Sequence, residues 1–167
     1  MNDNLTKQDI EKMQAELDYR TRTLMPELLE EVRRTRAFGD LSENFEYKEA
    51  KREKNRNASR IRYLERMIAT AHVIEDKSAP DEIGLYDKVE VYIPDDDETM
   101  TVSIVTTVRV DPLHGFYSRE SPFGRAILGK KAGDTVTVRV SDDVSYEARI
   151  VSVTKGEDDG SAALMEF

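Results

Sequence analysis

The chain has 167 residues, with 25 Lys+Arg against 34 Asp+Glu for a formal charge of −9, and is 38% hydrophobic and 35% charged. The hydrophobic share lies below the ~45–50% of ordinary globular domains and the charged share above their ~25%, which excludes one thick core and favours long exposed helices. With no cysteine and only His72 and His114 for imidazole, disulfide scaffolds, zinc fingers, iron–sulfur sites, thiol nucleophiles and His-rich metal sites drop out.

The opening Met1-Asn-Asp-Asn-Leu-Thr-Lys is too polar for a signal peptide. The longest mostly apolar stretch, Met67 to Ile74, is far short of the ~18 residues that span a bilayer. No membrane contact and a cytoplasmic location are expected. Residues 1–76 carry 15 basic and 16 acidic side chains, net −1, whereas 77–167 carry 10 and 18, net −8. The first half holds only Gly39 and Pro26, and the other seven glycines and four prolines follow. A breaker-poor stretch ahead of a breaker-rich one predicts a helical domain over 1–76, then a β-rich domain over 81–155. Residues 77–80, closed by Pro80, form the linker, and 156–167 are expected to be a disordered tail.

Ile10, Met13, Leu17, Leu24, Leu28 and Val32 make a helical stripe that Arg20 interrupts. Beyond Gly39, Tyr47, Ala50, Lys54, Asn57, Ile61, Leu64, Ile68 and Ala71 keep a 3–4 alternation. Two such segments around a short Gly-containing turn predict an antiparallel coiled-coil hairpin, with Lys54 and Asn57 as polar seam residues that fix register. Pro26 predicts a kink or break in the first helix. At 1.5 Å per residue, an arm of about 30 residues is roughly 45 Å long, built to reach into something.

In the second half, Lys88–Ile93, Met100–Val108, Thr135–Val140 and Tyr146–Val153 read as strands. Pro122 opens one or two helical turns, and Gly129-Lys-Lys-Ala-Gly-Asp134 is a turn. The fold class is therefore α+β: a helical hairpin followed by a small antiparallel sheet with one short helix. The acidic run Asp95-Asp-Asp-Glu98 reads as a hairpin loop, His114 as a turn residue and His72 as a helix-surface residue.

Chemistry concentrates at the hairpin turn, Phe38-Gly-Asp-Leu-Ser-Glu-Asn-Phe-Glu-Tyr47. Asp40 and Glu43, three apart, fit an aspartate variant of the capping box. They equally fit a partial site for a hard cation such as Mg²⁺, the remaining ligands coming from a partner or a substrate phosphate. Next to the turn, residues 48–66 hold eight basic and three acidic residues, net +5. Lys48, Arg52, Arg56 and Arg60, spaced by four, are expected on one face, either solvated and paired with neighbouring acids or contacting nucleic-acid phosphates.

Gly39-Asp-Leu-Ser-Glu-Asn-Phe-Glu-Tyr-Lys-Glu-Ala-Lys51 closely resembles the tip signature of the GreA/GreB family of bacterial transcript cleavage factors. Arg60-Ile-Arg-Tyr-Leu-Glu65 and Ser121-Pro-Phe-Gly-Arg-Ala-Ile-Leu-Gly-Lys-Lys-Ala-Gly-Asp134 are similar to further family segments, and the likeness spans about residues 5–154. It implies a coiled coil that enters the secondary channel of RNA polymerase, and an FKBP-like domain that docks at the rim through Ser121, Pro122, Gly124 and Arg125. It also implies that Asp40 and Glu43, supported by Ser42 and Asn44, hold a second Mg²⁺ jointly with the polymerase. They would thereby promote hydrolysis at the 3′ end of backtracked RNA, with Lys48, Arg52, Arg56 and Arg60 touching that RNA. The protein would be an accessory factor and a monomer, not an enzyme in its own right. Two other readings are a channel-binding inhibitor without cleavage stimulation and a prolyl isomerase with a coiled-coil handle. The isomerase reading suffers from the lack of tryptophan and the scatter of Tyr86, Tyr92, Phe116, Tyr117, Phe123 and Tyr146.

Overall fold

A computed structural model of the chain describes residues 3–39 and 44–166. They fall into two compact units. Asp9–His72 form the core of one, whereas Asn4–Gln8 join Val73–Glu166 in the other. The sequence reading had put the whole N-terminal segment with the hairpin. The transfer follows from β1 (Asn4–Thr6), which pairs with β2 (His72–Ile74) in a two-stranded sheet and buries Leu5 completely.

The helical unit is the expected hairpin. Helix α1 (Lys7–Tyr19) passes through a π-helical turn (Arg20–Leu24) into α2 (Met25–Arg36), and the chain returns as α3 (Phe45–Thr70). Pro26, which lacks an N–H and crowds the carbonyl four residues back, does not break the helix. The wide turn ahead of it absorbs the misfit, with Met25 N–H bonding to the Arg20 carbonyl five residues back. The apolar seam is thin. Met13, Ala50, Leu64 and Met67 are buried in it, alongside the polar Asn57 and Arg60.

The second unit is a five-stranded sheet in the order β5-β4-β3-β7-β6, built from β3 (Lys88–Ile93), β4 (Glu98–Val105), β5 (Phe116–Ser118), β6 (Thr135–Arg139) and β7 (Ser145–Thr154). The alternation in Val89, Val91 and Ile93 turns all three inward. Cross-strand pairs such as Val89 with Val102 and Val136 with Ala148 stack the core beneath α4 (Pro122–Ile127), which contributes Phe123 and Ile127. The sheet is not wholly antiparallel, because β5 joins β4 in parallel at the edge. Strand β4 ends at Val105, earlier than its alternation suggested, where Arg109 N–H bonds to the Thr106 carbonyl in a turn. Asp95–Asp97 of the acidic run form the β3–β4 loop, whereas Glu98 already opens β4 opposite Ile93, and Tyr92 donates its hydroxyl to Asp97 at 2.8 Å. Among the described residues no helix is long and apolar enough to cross a membrane.

The expectation of a disordered tail over 156–167 does not hold for its described part. Arg109, 1% exposed, reaches Asp158 with Nη2 at 2.8 Å and donates Nη1 to the Ala162 carbonyl at 2.6 Å. Ala162 is itself buried, and Met165 N–H bonds to the Val108 carbonyl. At the tail's root, the fully buried Asp87 carboxylate accepts from Gly84 N–H, Gly156 N–H and the Lys155 ammonium, all within 2.9 Å. The tail is thus held by two buried charges of the β unit. Breaking a buried pair by removing one partner costs about 3–5 kcal/mol, whereas altering a disordered acid costs within about 0.5 kcal/mol. Asp158→Ala is therefore expected to destabilise the β unit by the larger amount, read from the midpoint of its denaturant unfolding, and a midpoint matching the unsubstituted protein would contradict the latch.

Candidate functional site at the hairpin tip

The tip is carried by a hairpin whose register is set by polar contacts. Glu16 of α1 accepts Arg20 Nε at 2.8 Å, and from the opposite arm Arg60 Nε at 2.6 Å and Arg60 Nη2 at 3.1 Å. Arg20 also donates to Asn57 Oδ1 at 3.0 Å, and Asn57 returns its amide to the Arg20 carbonyl at 3.2 Å. The interruption of the first stripe, Arg20, therefore meets the polar break in the second, Asn57. Burial works to raise the Glu16 carboxyl, but hydrogen bonds from Arg60 and Arg20 and their positive charges outweigh it, leaving the group below its ordinary value.

Toward the tip, Thr35 is buried and returns its hydroxyl to the Glu31 carbonyl at 2.8 Å. Phe38 N–H bonds to the Thr35 carbonyl, and Gly39 follows with φ of 87°, a left-handed conformation that glycine adopts without strain. On the returning side Asn44 does two jobs. Its Oδ1 accepts Tyr47 N–H at 3.0 Å and so caps α3, while its Nδ2 donates to the Thr35 carbonyl at 2.6 Å. One amide thus starts the second helix and fastens it to the end of the first. The capping-box reading of Asp40 and Glu43 is overturned, since α3 begins at Phe45 with Asn44 as its cap. Asp40, Ser42 and Glu43 lie outside the described residues. Asn44, expected only as a supporting polar group, is the residue that closes the tip.

Of the expected basic face, Lys48, Arg52 and Arg56 are exposed, and with Lys51, Asn55 and Ser59 they line a shallow concavity of about 460 Å³. Arg52 pairs with Glu49 at 2.8 Å and Arg56 with Glu53 at 2.7 Å. Such exposed pairs are worth only about 0–1 kcal/mol, so a phosphate can replace the carboxylate at little cost. Arg60 is not part of that face. Its side chain is 6% exposed and engaged with Glu16, and its guanidinium carbon lies 5.1 Å from the Tyr63 ring centre. The expectation that Arg60 contacts RNA is therefore withdrawn in favour of a role inside the hairpin.

In the β unit, Ser121 caps α4 by accepting Gly124 N–H at 3.0 Å and donating to the Ser118 carbonyl at 2.7 Å. A side chain at Gly124 would collide with that same carbonyl. Ser121 and Gly124 therefore hold the turn, while Pro122 and Arg125 stand exposed on it. The aromatic residues do not gather into an isomerase pocket. Phe123 is in the core, with Tyr117 edge-on to it at 5.3 Å and Tyr86 and Tyr146 packed against the same cluster. A concavity of about 580 Å³ includes Tyr86 and Phe116 but is otherwise lined largely by polar and charged groups such as Lys88, His114 and Glu157.

The two units, a register-locked helical hairpin and a small curled sheet bearing a Ser-Pro-capped helix, match the two-part organisation that the sequence resemblance implies. Family models bear this out: "Transcription elongation factor, N-terminal" matches residues 4–73, and "Transcription elongation factor, GreA/GreB, C-term" matches residues 77–155. The chain is 40% identical over 152 residues to transcription elongation factor GreA of Thermoanaerobacter pseudethanolicus, covering 90% of this chain and 96% of that protein. It is 41% identical over 136 residues to GreA of Geobacillus kaustophilus, covering 81% and 86%. Among solved structures, GreA factor homolog 1 (Gfh1) of Thermus thermophilus matches with a TM-score of 0.43 at 27% identity, covering 93% of this chain and 100% of that one. The chain belongs to the GreA/GreB family of transcription elongation factors.

The Glu16 cluster makes the hairpin's stability pH-dependent in a defined sense. Unfolded, Glu16 titrates near about 4.3, and folded it titrates lower. Its pairing is therefore fully stabilising above about 4.3 and is lost as pH falls through the lower folded value. Glu16→Gln should be less stable than the unsubstituted protein at neutral pH, with the gap closing on acidification, measured by urea unfolding across a pH series. A gap that stays constant into acid would show that the charge contributes nothing.

Proposed function

We propose that this chain is an accessory factor that inserts its hairpin into the secondary channel of RNA polymerase and stimulates the polymerase's own cleavage of backtracked RNA. The observation that carries this reading is the closure of the tip by Asn44. It fixes the two ends of the turn, and the sequence places Asp40 and Glu43 between Gly39 and Asn44, at the extremity of a 26-residue helix about 39 Å long. Family membership supplies the partner class, and the shared cytoplasmic setting of transcription follows from it.

Two carboxylates three residues apart are hard oxygen donors of the kind Mg²⁺ takes, but they are too few to hold it alone. When bound jointly with the polymerase, the ion would supply the second metal that phosphodiester hydrolysis uses to activate water and stabilise the leaving oxygen. The chain's own residues do the rest. Asn44 and Thr35 hold the turn, Asp40 and Glu43 present the oxygens, and Lys48, Arg52 and Arg56 receive the phosphates of the extruded strand. In the β unit, Pro122 and Arg125 offer exposed docking groups on a turn made rigid by Ser121 and Gly124. With Asn44 as the α3 cap, the two acids are spared for this task. A role as a mere channel plug would not call for two acids at this place.

Asp40→Ala and Glu43→Ala should each abolish cleavage stimulation in backtracked complexes while leaving competition for polymerase binding nearly unchanged. Full cleavage by the double alanine variant would sink the shared-metal role. Arg52→Ala with Arg56→Ala should weaken cleavage of long extruded RNA more than short, and the defect should narrow as salt screens the phosphate contacts. Equal defects at every backtracked length would assign the two arginines to the polymerase wall instead.

A further inference from the structure

Two aromatic side chains flank the tip without serving the core. Phe45, the first residue of α3, is 79% exposed, and Phe38, just past the end of α2, is 51% exposed. In sequence, Phe38 lies two residues before Asp40 and Phe45 two after Glu43. Each carries a cation over its ring. Lys48 Nζ lies 5.7 Å from the Phe45 centre, and the Arg34 guanidinium carbon lies 5.1 Å from the Phe38 centre.

A lone exposed apolar residue needs no explanation. Here there is one aromatic on each arm, each paired with a cation, and neither lies in the buried seam of Met13, Ala50, Leu64 and Met67. An aromatic face beside a positive charge is the unit with which proteins hold single-stranded nucleic acid: the base stacks on the ring and the cation meets the backbone. The exposed basic residues Lys48, Lys51, Arg52 and Arg56 continue from Phe45 along α3 as a phosphate track. A purely apolar protein wall would suit the rings less well, because packing against it would strip water from the adjacent Lys48 and Arg34.

We propose that Phe45, assisted by Phe38 on the other arm, is a stacking platform for an unpaired nucleobase at the RNA 3′ segment. The inference rests on the reading above, that the tip works on extruded RNA, and adds the recognition of the base itself.

The test uses the full chain in backtracked polymerase complexes. RNA carrying an ordinary 3′-terminal base is compared with RNA carrying an abasic 3′ nucleotide. Stacking predicts that Phe45→Ala slows cleavage of base-bearing RNA by about 5- to 150-fold, the range alanine substitution gives at a stacking site. Phe45→Trp should restore the rate, Phe45→Leu should not, and the abasic RNA should reduce the unsubstituted protein to the Phe45→Ala rate. An unchanged Phe45→Ala rate, or rescue by Leu as good as by Trp, overturns the platform. A photo-crosslinking phenylalanine analogue at position 45 separates the two levels of the argument. Crosslinks to the RNA 3′ end support the platform even if the protein stimulates no cleavage, an outcome that would sink the proposed function alone. Crosslinks confined to polymerase protein, with cleavage intact, would sink the platform alone.

Discussion

Everything at the far end of the hairpin depends on a polar layer set into an otherwise apolar seam. Leucine, methionine and alanine side chains would pack tolerably if one arm slid by a heptad, a displacement of about 10 Å. The cluster of Glu16, Arg20, Asn57 and Arg60 does not tolerate that slip. With Arg60 side chain 6% and Glu16 23% exposed, any other register leaves a guanidinium or a carboxylate buried without its partner, a cost of several kcal/mol. The register then dictates which residues turn the corner, so that Thr35 and Asn44 meet and the segment between them becomes the tip. A specificity device 13 to 23 residues from the turn decides what the turn presents.

The same economy of charge appears in the β unit. Asp87 and Arg109 are fully buried, and each takes its counter-charge from the C-terminal stretch, Lys155 for one and Asp158 for the other. A chain with too few apolar side chains for a thick core closes its periphery with charge-assisted hydrogen bonds instead. These contacts hold the C-terminal stretch from Lys155 to Ala162 on the β unit.

Much of this was legible in the residues. Alternation in Lys88–Ile93 marked a half-buried strand because a two-residue period puts every second side chain on one face, and the breaker distribution separated the helical half from the sheet. Arg60 was misread for a geometric reason. Residues spaced by four advance 400° around an α-helix, so each step drifts 40°, and three steps from Lys48 carry position 60 about 120° away, off the exposed face and into the seam. The tail was misread because Gly-Glu-Asp-Asp-Gly-Ser has the composition of disorder, and its anchor, Arg109, lies 49 residues earlier. The α3 cap was misplaced because aspartate and asparagine are both good caps. The bond from Tyr47 N–H to Asn44 Oδ1 identifies the cap, and the one from Asn44 to Thr35, nine residues back, reinforces it.

The incompleteness of the tip is then the point of its construction. In the proposed reading, two carboxylates at the end of a slender arm bind a divalent ion only where another protein supplies further oxygens, so the free factor has no means to hydrolyse RNA at random. Closing the turn with the neutral amide of Asn44 adds no charge there. Burying Arg60 beside Glu16 withdraws one cation from the surface, so the remaining basic track of Lys48, Lys51, Arg52 and Arg56 is concentrated in the half of α3 nearest the tip. Attraction for phosphate is thereby greatest in the N-terminal half of α3, and in the proposed reading the long-range repulsion of a −9 protein toward RNA would be overcome only within the roughly 8–10 Å over which such charges are felt at physiological salt. In that reading, the factor would engage RNA only when the channel brings the strand to the tip.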